Sequence, residues 1–485
     1  MPGQTVFYGP LVTPLSLTAY AALPRALVCV SSNGDIAWRL DDVAPYDLQL
    51  ALSTHGAEDA ELVELRRGEF LLPGFVDTHT HAPQVPNIGS GQQYELLDWL
   101  DNVTFPMEAQ FADVDFAKRT YSRVVRRLID SGTTTCCYYA TLHLEASKAL
   151  ADIVHATGQR AFIGKCNMDR NCPPTYIEPS ASSSLTDTHT LITHIRALPP
   201  ASSSQHAALV RPVITPRFAI STTPPLLRSL GDLAASDPSL LVQTHISENA
   251  SEIKFTLELF PECKSYAQVY DTYGLLLKNR TVLAHAVHLE KEEVKLIAER
   301  GAGIAHCPTS NFNLRSGVAD VGAMLDAGIN VGLGTDVSGG FSTSILTEIQ
   351  HASIAAKVRT WLPGSSQDTT SNTETFTGKP LPVPALLHLA TLGGAQVCGL
   401  GSRIGTLDPG KAFDALIVSA RADAKNPRLW GADEDVELGV QRVGDGGEAE
   451  LERCLERFLF TGDDRNIRRV YVQGRWIGGA ERKTV

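Results

Sequence analysis

The sequence predicts a (β/α)8 barrel of the TIM type, with a small β-sandwich-like domain formed by both ends of the chain. The chain has 485 residues, which is enough for a large catalytic domain and a smaller one. Strand-like and helical patterns alternate across residues 71–400, as they do in a parallel barrel. Antiparallel β patterns occupy residues 1–70 and 401–485, and we expect these two segments to form one composite domain.

Turn signals between apolar runs predict the hairpins of this terminal domain. Ala26–Val30 and Ile36–Trp38 lie on either side of Asn33-Gly34, and Asn-Gly between two apolar runs is a strong hairpin signal. Ile404–Val418 and Arg468–Ile477 have the same hairpin character near the C-terminus.

The central region contains eight strand candidates with helical patterns between most of them, such as Phe116–Ile129 and Glu290–Glu299. The strand candidates are residues 71–77, 132–139, 160–166, 210–215, 241–246, 281–286, 302–306 and 330–335. Three stretches have the composition of surface loops and are predicted to be inert insertions: 39–64, 364–378 and 421–449.

Two histidines follow the first barrel strand at positions i and i+2. Leu71–Val76 is an apolar run broken only by Pro-Gly, and His79 and His81 come soon after it. Because side chains alternate along a strand, this spacing places both imidazoles on one face. Neutral imidazole is the commonest biological metal ligand, so the segment predicts half of a metal site. The alternative is a pair of partly exposed loop histidines.

Three later strand candidates each end in a side chain that can bind a metal. Leu241–His245 and Thr281–His285 end in histidine, and Asn330–Asp336 ends in a carboxylate. Each could be structural on its own, either as a core histidine or as an aspartate that caps a helix. However, the carboxyl ends of barrel strands meet at one face, where such barrels keep their active sites. We therefore expect these side chains to meet His79 and His81 there.

The predicted ligands are His79, His81, His245 and Asp336. Three nitrogens and one carboxylate oxygen suit zinc or another divalent first-row ion, with a position left for water. Such an ion lowers the pKa of that water to about 7. Glu248, three residues after His245, is then well placed to move protons to and from a substrate. Its alternative role is a carboxylate stabilised by the dipole at a helix N-terminus.

Composition limits the partners and the compartment. The net charge of −12 argues against a nucleic-acid surface, and no window approaches the 18 or more apolar residues of a spanning helix. We therefore expect neither a nucleic-acid nor a membrane partner. Nine cysteines without a Cys-x-x-Cys pair, and a start at Met1–Thr5 without a secretory signal, favour a cytoplasmic protein with reduced thiols.

This constellation resembles the amidohydrolase superfamily, from Pro73–His81 to an element at Gly410–Ala415. Binuclear members of that superfamily typically bridge two metals with a carboxylated lysine near the end of strand four. The corresponding segment here, Val210–Phe218, has no lysine. The resemblance therefore implies the mononuclear deaminase branch, with one Zn²⁺ per chain, in which His285 orients the nucleophile and does not bind the metal.

Within that branch the chain resembles the guanine deaminase family along nearly its whole length. The matching segments are His81–Gln84, Leu96–Leu100, Tyr121–Arg127, Ser131–Thr135, Gly158–Phe162, Thr215–Phe218, Thr244–Asn249, Gly334–Asp336 and Gly462–Ile467. The chain departs from the family pattern at Pro83 and Thr309, neither of which is a predicted ligand. The resemblance implies that guanine and water react to give xanthine and ammonia, and that the protein is a homodimer.

The resemblance also implies a pocket for the base. Arg217 could donate to the O6 and N7 acceptors of guanine together, while Phe218 and Trp99 cover the ring and Gln84 serves the remaining edge. The alternatives are a rim salt bridge for Arg217 and ordinary packing for the two aromatic residues. The other implied substrate contacts are made by His81, His245, Glu248 and Asp336.

In the implied reaction Glu248 protonates ring N3, Asp336 accepts the proton of the water, and His285 holds the nucleophile in line. Other substrates remain open, namely a pterin, an 8-oxopurine, cytosine or a chlorinated triazine. The metal ligands cannot separate these, whereas Gln84, Arg217 and Phe218 favour guanine. A catalytically inactive scaffold protein is an alternative of another class, but relatives of that kind typically lose metal ligands that this chain keeps.

Overall fold

The computed structural model describes residues 3–200, 208–362, 375–438 and 447–482. Within these ranges the strands form two sheets, a parallel barrel and a mixed sheet built from both ends of the chain. The strands are β1 (Thr5–Pro14), β2 (Tyr20–Val30), β3 (Ile36–Leu40), β4 (Glu61–Glu64), β5 (Glu69–Pro73), β6 (Phe75–His81), β7 (Thr133–Tyr139), β8 (Arg160–Gly164), β9 (Cys166–Asn167), β10 (Val210–Pro216), β11 (Leu241–Ile246), β12 (Thr281–His285), β13 (Gly303–His306), β14 (Val331–Leu333), β15 (Ala415–Ser419), β16 (Ile467–Val472) and β17 (Arg475–Gly478).

Helices connect the barrel strands and follow the barrel. The helices are α1 (Leu48–Thr54), α2 (Leu96–Trp99), α3 (Phe105–Ala109), α4 (Val114–Asp130), α5 (Leu144–Thr157), α6 (Ala181–Arg196), α7 (Pro224–Ser236), α8 (Ala250–Leu259), α9 (Tyr266–Thr272), α10 (Lys291–Arg300), α11 (Pro308–Asn313), α12 (Val321–Asp326), α13 (Ile345–Arg359), α14 (Val383–His388), α15 (Gly394–Val397), α16 (Ala432–Glu437) and α17 (Gly447–Thr461). None of the helices in the described ranges has the length and apolar character that crossing a membrane requires.

The barrel strands are parallel and follow the order β14, β13, β12, β11, β10, β8, β7 and β6, with the short β9 beside β10. Contacts between the first and last strands bring the sheet round on itself. Thr78 Oγ1 donates to the carbonyl oxygen of Leu333 at 2.8 Å, and the N–H of Asp336 donates to the carbonyl oxygen of His79 at 2.8 Å. The predicted TIM-type barrel is confirmed, and α4 and α10 match the two helices expected from the sequence.

The first predicted barrel strand, residues 71–77, is in fact parts of two strands. β5 belongs to the terminal sheet, where it pairs with β15, and β6 belongs to the barrel, where it pairs with β7. Gly74 separates them. A Cβ added at Gly74 would lie 2.1 Å from Thr134 Oγ1, so only glycine fits this close approach. The single-strand prediction was wrong because an apolar run does not show where a chain passes from one sheet to another.

The terminal sheet has the order β17, β16, β15, β5, β1, β2 and β3, with β4 paired to β1. The predicted hairpin of β2 and β3 is confirmed, with Gly34 at a positive φ of 85°. The hairpin of β16 and β17 is confirmed as well. The hairpin expected at Ile404–Val418 was wrong, because β15 pairs with β5 and β16 and not with a preceding strand. The division into two domains near residues 70 and 400 stays a prediction.

The three predicted insertions have different outcomes. The expectation of a surface loop at 39–64 was wrong, because this stretch contains α1 and β4, and Leu48 and Leu52 of α1 are buried in a core cluster. The expectation of a loop at 421–449 was wrong for its described part, which contains α16 and the start of α17, and residues 439–446 lie outside the described residues. The stretch 364–378 lies largely outside the described residues.

Candidate active site

Four side chains that can bind a metal meet at the carboxyl ends of the barrel strands. His79 and His81 lie on β6, His245 on β11, and Asp336 three residues beyond β14. All four residues are buried, and one potential ligand atom of each lies within 4.8 Å of the others. We call these residues the ligand group. Alternation along β6 puts its two histidines on one face, as expected from the sequence.

The spacing of the ligand group fits coordination of one metal ion. The Nε2 atoms of His81 and His245 are 3.1 Å apart. Oδ1 of Asp336 is 3.0 Å from Nε2 of His79 and 3.5 Å from Nε2 of His81. Bonds of ~2.0–2.1 Å in a tetrahedral zinc site place the ligand atoms roughly 3.3 Å apart. The donor atoms and their spacing therefore suit a divalent first-row ion.

A hydrogen bond to the backbone orients His245, one member of the ligand group. Nδ1 of His245 lies 2.5 Å from the carbonyl oxygen of Arg217. A carbonyl oxygen can only accept a hydrogen bond, so Nδ1 carries the proton and Nε2 keeps its lone pair. Metal-binding histidines are commonly held in this way by a backbone carbonyl. The backbone of Arg217 thus fixes the tautomer that an ion requires.

The electrostatic environment keeps the ligand group in the protonation state that binds metal. Burial lowers the pKa of His79, His81 and His245, which favours neutral imidazoles. Burial alone would raise the pKa of the Asp336 carboxyl, but the neighbouring His79 and His285 lower it overall. Neutral imidazoles beside a carboxylate are the forms that coordinate a cation.

Glu248 lies beside the ligand group and outside the helix that follows it. Asn249 is the N-cap of α8, so Glu248 precedes the first turn. Its Oε2 is 3.4 Å from Nε2 of His285, and its Oε1 accepts a hydrogen bond of 3.3 Å from Ser316 Oγ. Burial, reinforced by the negative charge of Asp336, raises the pKa of the Glu248 carboxyl well above its ordinary value. Glu248 can therefore hold a proton in this cavity.

His285 lies at the edge of the site and outside the ligand group. Its Nε2 is 3.8 Å from Asp336 Oδ2, while its Nδ1 is 3.0 Å from Asn311 Oδ1. Since an amide oxygen only accepts, Nδ1 is the protonated nitrogen and Nε2 faces the two carboxylates. Sequence reasoning missed Asn311, although its place just after the seventh barrel strand was a signal that could have indicated it.

The backbone turns sharply where these side chains enter the site. Ser247, His285 and Asp336 have positive φ values of 47°, 74° and 43°. Residues other than glycine adopt this region at a cost of ~1–3 kcal/mol each, and such residues cluster at functional sites. The same sharp turns direct Asp336 into the cavity and bring His285 beside Glu248.

A cavity lined by buried side chains adjoins the ligand group. All eight residues predicted to contact a substrate line the cavity, including Trp99 and Phe218. Three leucines that the sequence did not indicate, Leu96, Leu100 and Leu314, complete an apolar wall.

Comparison with known proteins identifies the family. Residues 70–477 match the model of the Amidohydrolase family. The chain is 43% identical over 485 residues to a probable guanine deaminase of Schizosaccharomyces pombe, covering 100% of this chain and 85% of the relative. It is 38% identical over 477 residues to the guanine deaminase of Dictyostelium discoideum, covering 97% of this chain and 98% of the relative. The chain belongs to the guanine deaminase family of amidohydrolases.

The fold agrees with that membership. A crystal structure of the guanine deaminase from C. acetobutylicum, with bound guanine in its active site, superimposes with a TM-score of 0.82 at 32% identity. The superposition covers 98% of this chain and 100% of that one. The resemblance seen in the sequence is thus confirmed for both the family and the barrel.

The two departures from the family pattern lie away from the cavity wall. Pro83 is buried in the 3-10 turn that follows β6. Thr309 is the second residue of α11, and its hydroxyl lies 2.6 Å from Glu348 Oε1 and 2.7 Å from His351 Nδ1. Neither residue is among those that line the cavity, so neither alters its surface directly.

Arg217 lines the cavity and is buried, whereas the alternative prediction placed it in a salt bridge at the rim. It does form a salt bridge, in which Nη1 donates to Oε2 of Glu108 at 2.7 Å. Burial alone would lower the pKa of the guanidinium, but the Glu108 carboxylate raises it above its ordinary value. Glu108 was missed by sequence reasoning, because it lies in a short helix, α3, with no distinguishing pattern.

Proposed function

We propose that this protein is a metal-dependent guanine deaminase, which converts guanine and water to xanthine and ammonia. The observation that carries the proposal is the position of the ligand group. It lies at one side of a small buried cavity whose lining also contains a guanidinium and a carboxamide. The relatives named guanine deaminases, and the guanine bound in one of their structures, support this substrate.

We further propose that the ion is Zn²⁺ and that each chain binds one. Three imidazole nitrogens and one carboxylate oxygen support zinc. When bound, such an ion supplies hydroxide from water near neutral pH. A single ion is supported by β10, which contains no lysine. Lys165, on the adjacent part of the barrel, is buried and paired with Glu178.

Two side chains would transfer the protons of the reaction, and a third would orient the water. Glu248 would donate a proton to ring N3 as a C–O bond forms at C2, which keeps negative charge from building up on the ring. Asp336 would accept the proton that the water loses, and His285 would hold the water in line. Asp336 would then pass its proton to the amino group, the C–N bond breaks and ammonia leaves, while the remaining hydroxyl proton at C2 passes to Glu248 and restores its acid form. The burial of Glu248 and its raised pKa support the acid role.

Gln84 and Arg217 would read the edges of the base, and we call them the base-reading pair. The guanidinium can donate to O6 and N7 together, and the carboxamide has both a donor and an acceptor for the remaining edge. Phe218 and Trp99 would pack against the ring. This lining favours guanine over cytosine or a triazine, which lack the O6/N7 edge.

An ammonia-release assay on the purified, metal-loaded protein tests the proposal. We expect turnover of guanine to exceed that of a pterin, an 8-oxopurine, cytosine and a chlorinated triazine. If another compound of this panel is turned over faster, that compound replaces guanine as the proposed substrate. Ammonia release from none of them by fully metal-loaded protein would favour the inactive scaffold.

We also propose a cytoplasmic homodimer, as the family resemblance implies. Light scattering after size-exclusion chromatography tests the assembly, and imaging of the tagged protein tests the compartment. A monomer at micromolar concentration, or a signal confined to an organelle, would contradict the corresponding part of this proposal.

A further inference from the structure

Glu108 is a buried carboxylate that contacts both members of the base-reading pair without lining the cavity itself. Its Oε1 accepts a hydrogen bond of 2.8 Å from Gln84 Nε2. Its Oε2 accepts from Arg217 Nη1 at 2.7 Å and from the Tyr176 hydroxyl at 2.6 Å. The roles proposed above leave this residue without a function.

The Gln84 amide is held in one orientation from both of its ends. Glu108 as a carboxylate can only accept, so the Nε2 end must face it, and the backbone N–H of Ser338 can only donate, to Gln84 Oε1 at 3.1 Å. Rotation of the amide by 180° would place donor against donor and acceptor against acceptor. The remaining N–H and the remaining lone pair of Gln84 are therefore offered to the cavity in one fixed arrangement.

The Arg217 guanidinium is held by the same carboxylate. Glu108 is fully buried and balances its charge, and the ring of Phe105 lies with its centroid 5.3 Å from Arg217 Cζ. A guanidinium is a rigid planar fork, so a bond to one nitrogen sets the plane of the others. Two-pronged recognition of a base edge depends on that plane.

We propose that Glu108 is a positioning residue that sets the orientation of both members of the base-reading pair and so confers selectivity for guanine. The inference rests on the proposed function, because it assigns the selectivity of that same cavity. Glu108 makes no contact with the substrate in this proposal and acts through Gln84 and Arg217.

The primary test is Glu108→Gln, which keeps the size of the side chain and removes its charge. One amide oxygen cannot replace a carboxylate for three donors, and the new amide N–H₂ would face donors. We expect kcat/KM for guanine to fall at least about tenfold, mostly through KM, since hydrogen bonds to charged groups are the stronger ones. Glu108→Asp, which keeps the charge, should recover part of the loss.

Tyr176→Phe is the matched control. It removes one donor from the same carboxylate oxygen but leaves the charge and both contacts to the base-reading pair. We expect less than about a threefold change in KM. All variants should be compared at equal metal content, and thermal melting should first show that each of them is folded. If Glu108→Gln does not fold, Glu108→Asp carries the same comparison.

Selectivity separates positioning from a merely structural role. 2-Aminopurine lacks O6, so one of the two contacts to Arg217 is missing from the start. We expect Glu108→Gln to raise the KM of guanine by a larger factor than the inhibition constant of 2-aminopurine. Equal factors for the two, or a wild-type KM for guanine, would overturn the proposal. Failure of the wild-type protein to deaminate guanine would instead overturn the proposed function on which it rests.

Discussion

The ligand group and the base-reading pair adjoin in one cavity, but the chain builds them in different ways. The ligand group comes from strand ends of the barrel, so its members are placed by the sheet itself. In the base-reading pair, Arg217 follows β10 and Gln84 follows β6, yet both side chains are held by Glu108 from α3. The ligand group is thus placed by neighbouring strands of one sheet, and the base-reading pair by a contact between separate elements.

Removal of the metal should have the largest effect, because every proposed step at C2 depends on it. Dialysis against a chelator should abolish ammonia release from guanine, and one equivalent of Zn²⁺ per chain should restore it. His79→Ala should lose the metal as well, while His194→Ala, at a partly exposed histidine paired with Asp152, should retain it. Elemental analysis checks both. Two tightly bound ions per chain would contradict the mononuclear site.

Glu248→Gln should have the next largest effect. Loss of general acid–base catalysis typically costs ~10²–10⁴-fold, so kcat should fall by that much while metal content and KM for guanine change little. Glu258→Gln, at a solvent-facing carboxylate of α8 in a weak ion pair with Lys254, is the matched control and should be neutral. A Glu248→Gln variant with near-normal kcat would show that the residue serves only the start of the helix.

The two regions also differ in how far the sequence predicts them. The ligand group was predictable because the i, i+2 spacing on β6 and the single polar residues ending other strands are local patterns. Glu108 was not, because its role depends on how α3 packs against β6 and β10, which no local pattern encodes. The crossing at Gly74 and the buried helix α1 were missed for the same reason: both depend on contacts between distant segments.

Arg217 both faces the cavity and forms a buried ion pair with Glu108, so a single substitution there has two effects. Arg217→Ala would remove the donors to O6 and N7, and we expect kcat/KM for guanine to fall at least roughly tenfold. It would also leave Glu108 as an unpaired buried charge, and breaking a buried ion pair typically costs about 3–5 kcal/mol. The single variant therefore confuses recognition with stability.

Arg217→Ala combined with Glu108→Gln resolves this. The double variant removes both charges together. Its melting temperature should therefore be higher than that of Arg217→Ala, while guanine turnover stays low. Arg217→Lys should recover little activity, because a point charge does not reproduce the two-pronged geometry. Adenine, with an amino group in place of O6, should be a poor substrate of the wild type. Near-normal activity in a stable, metal-loaded double variant would place recognition of the base elsewhere.

Asn311→Ala should have the smallest effect of the series. It tests whether the end of β12 alone positions His285 for catalysis. The substitution removes the acceptor for His285 Nδ1, so the imidazole can change tautomer and its Nε2 no longer faces Glu248 and Asp336 in one fixed state. The net contribution of one hydrogen bond is roughly 0.5–1.5 kcal/mol, so we expect kcat for guanine to fall about twofold to tenfold with KM and metal content unchanged.

Asn311→Asp keeps an acceptor at the same place and should retain more activity than Asn311→Ala. Asn313→Ala is a matched control two residues along α11, since the Asn313 side chain donates to the carbonyl oxygen of Gly339 and makes no contact with His285. If Asn311→Ala leaves kcat unchanged, the backbone at the end of β12 positions His285 without help. The side chains proposed to catalyse the reaction would then be positioned by the strands alone, whereas the base-reading pair is positioned by Glu108.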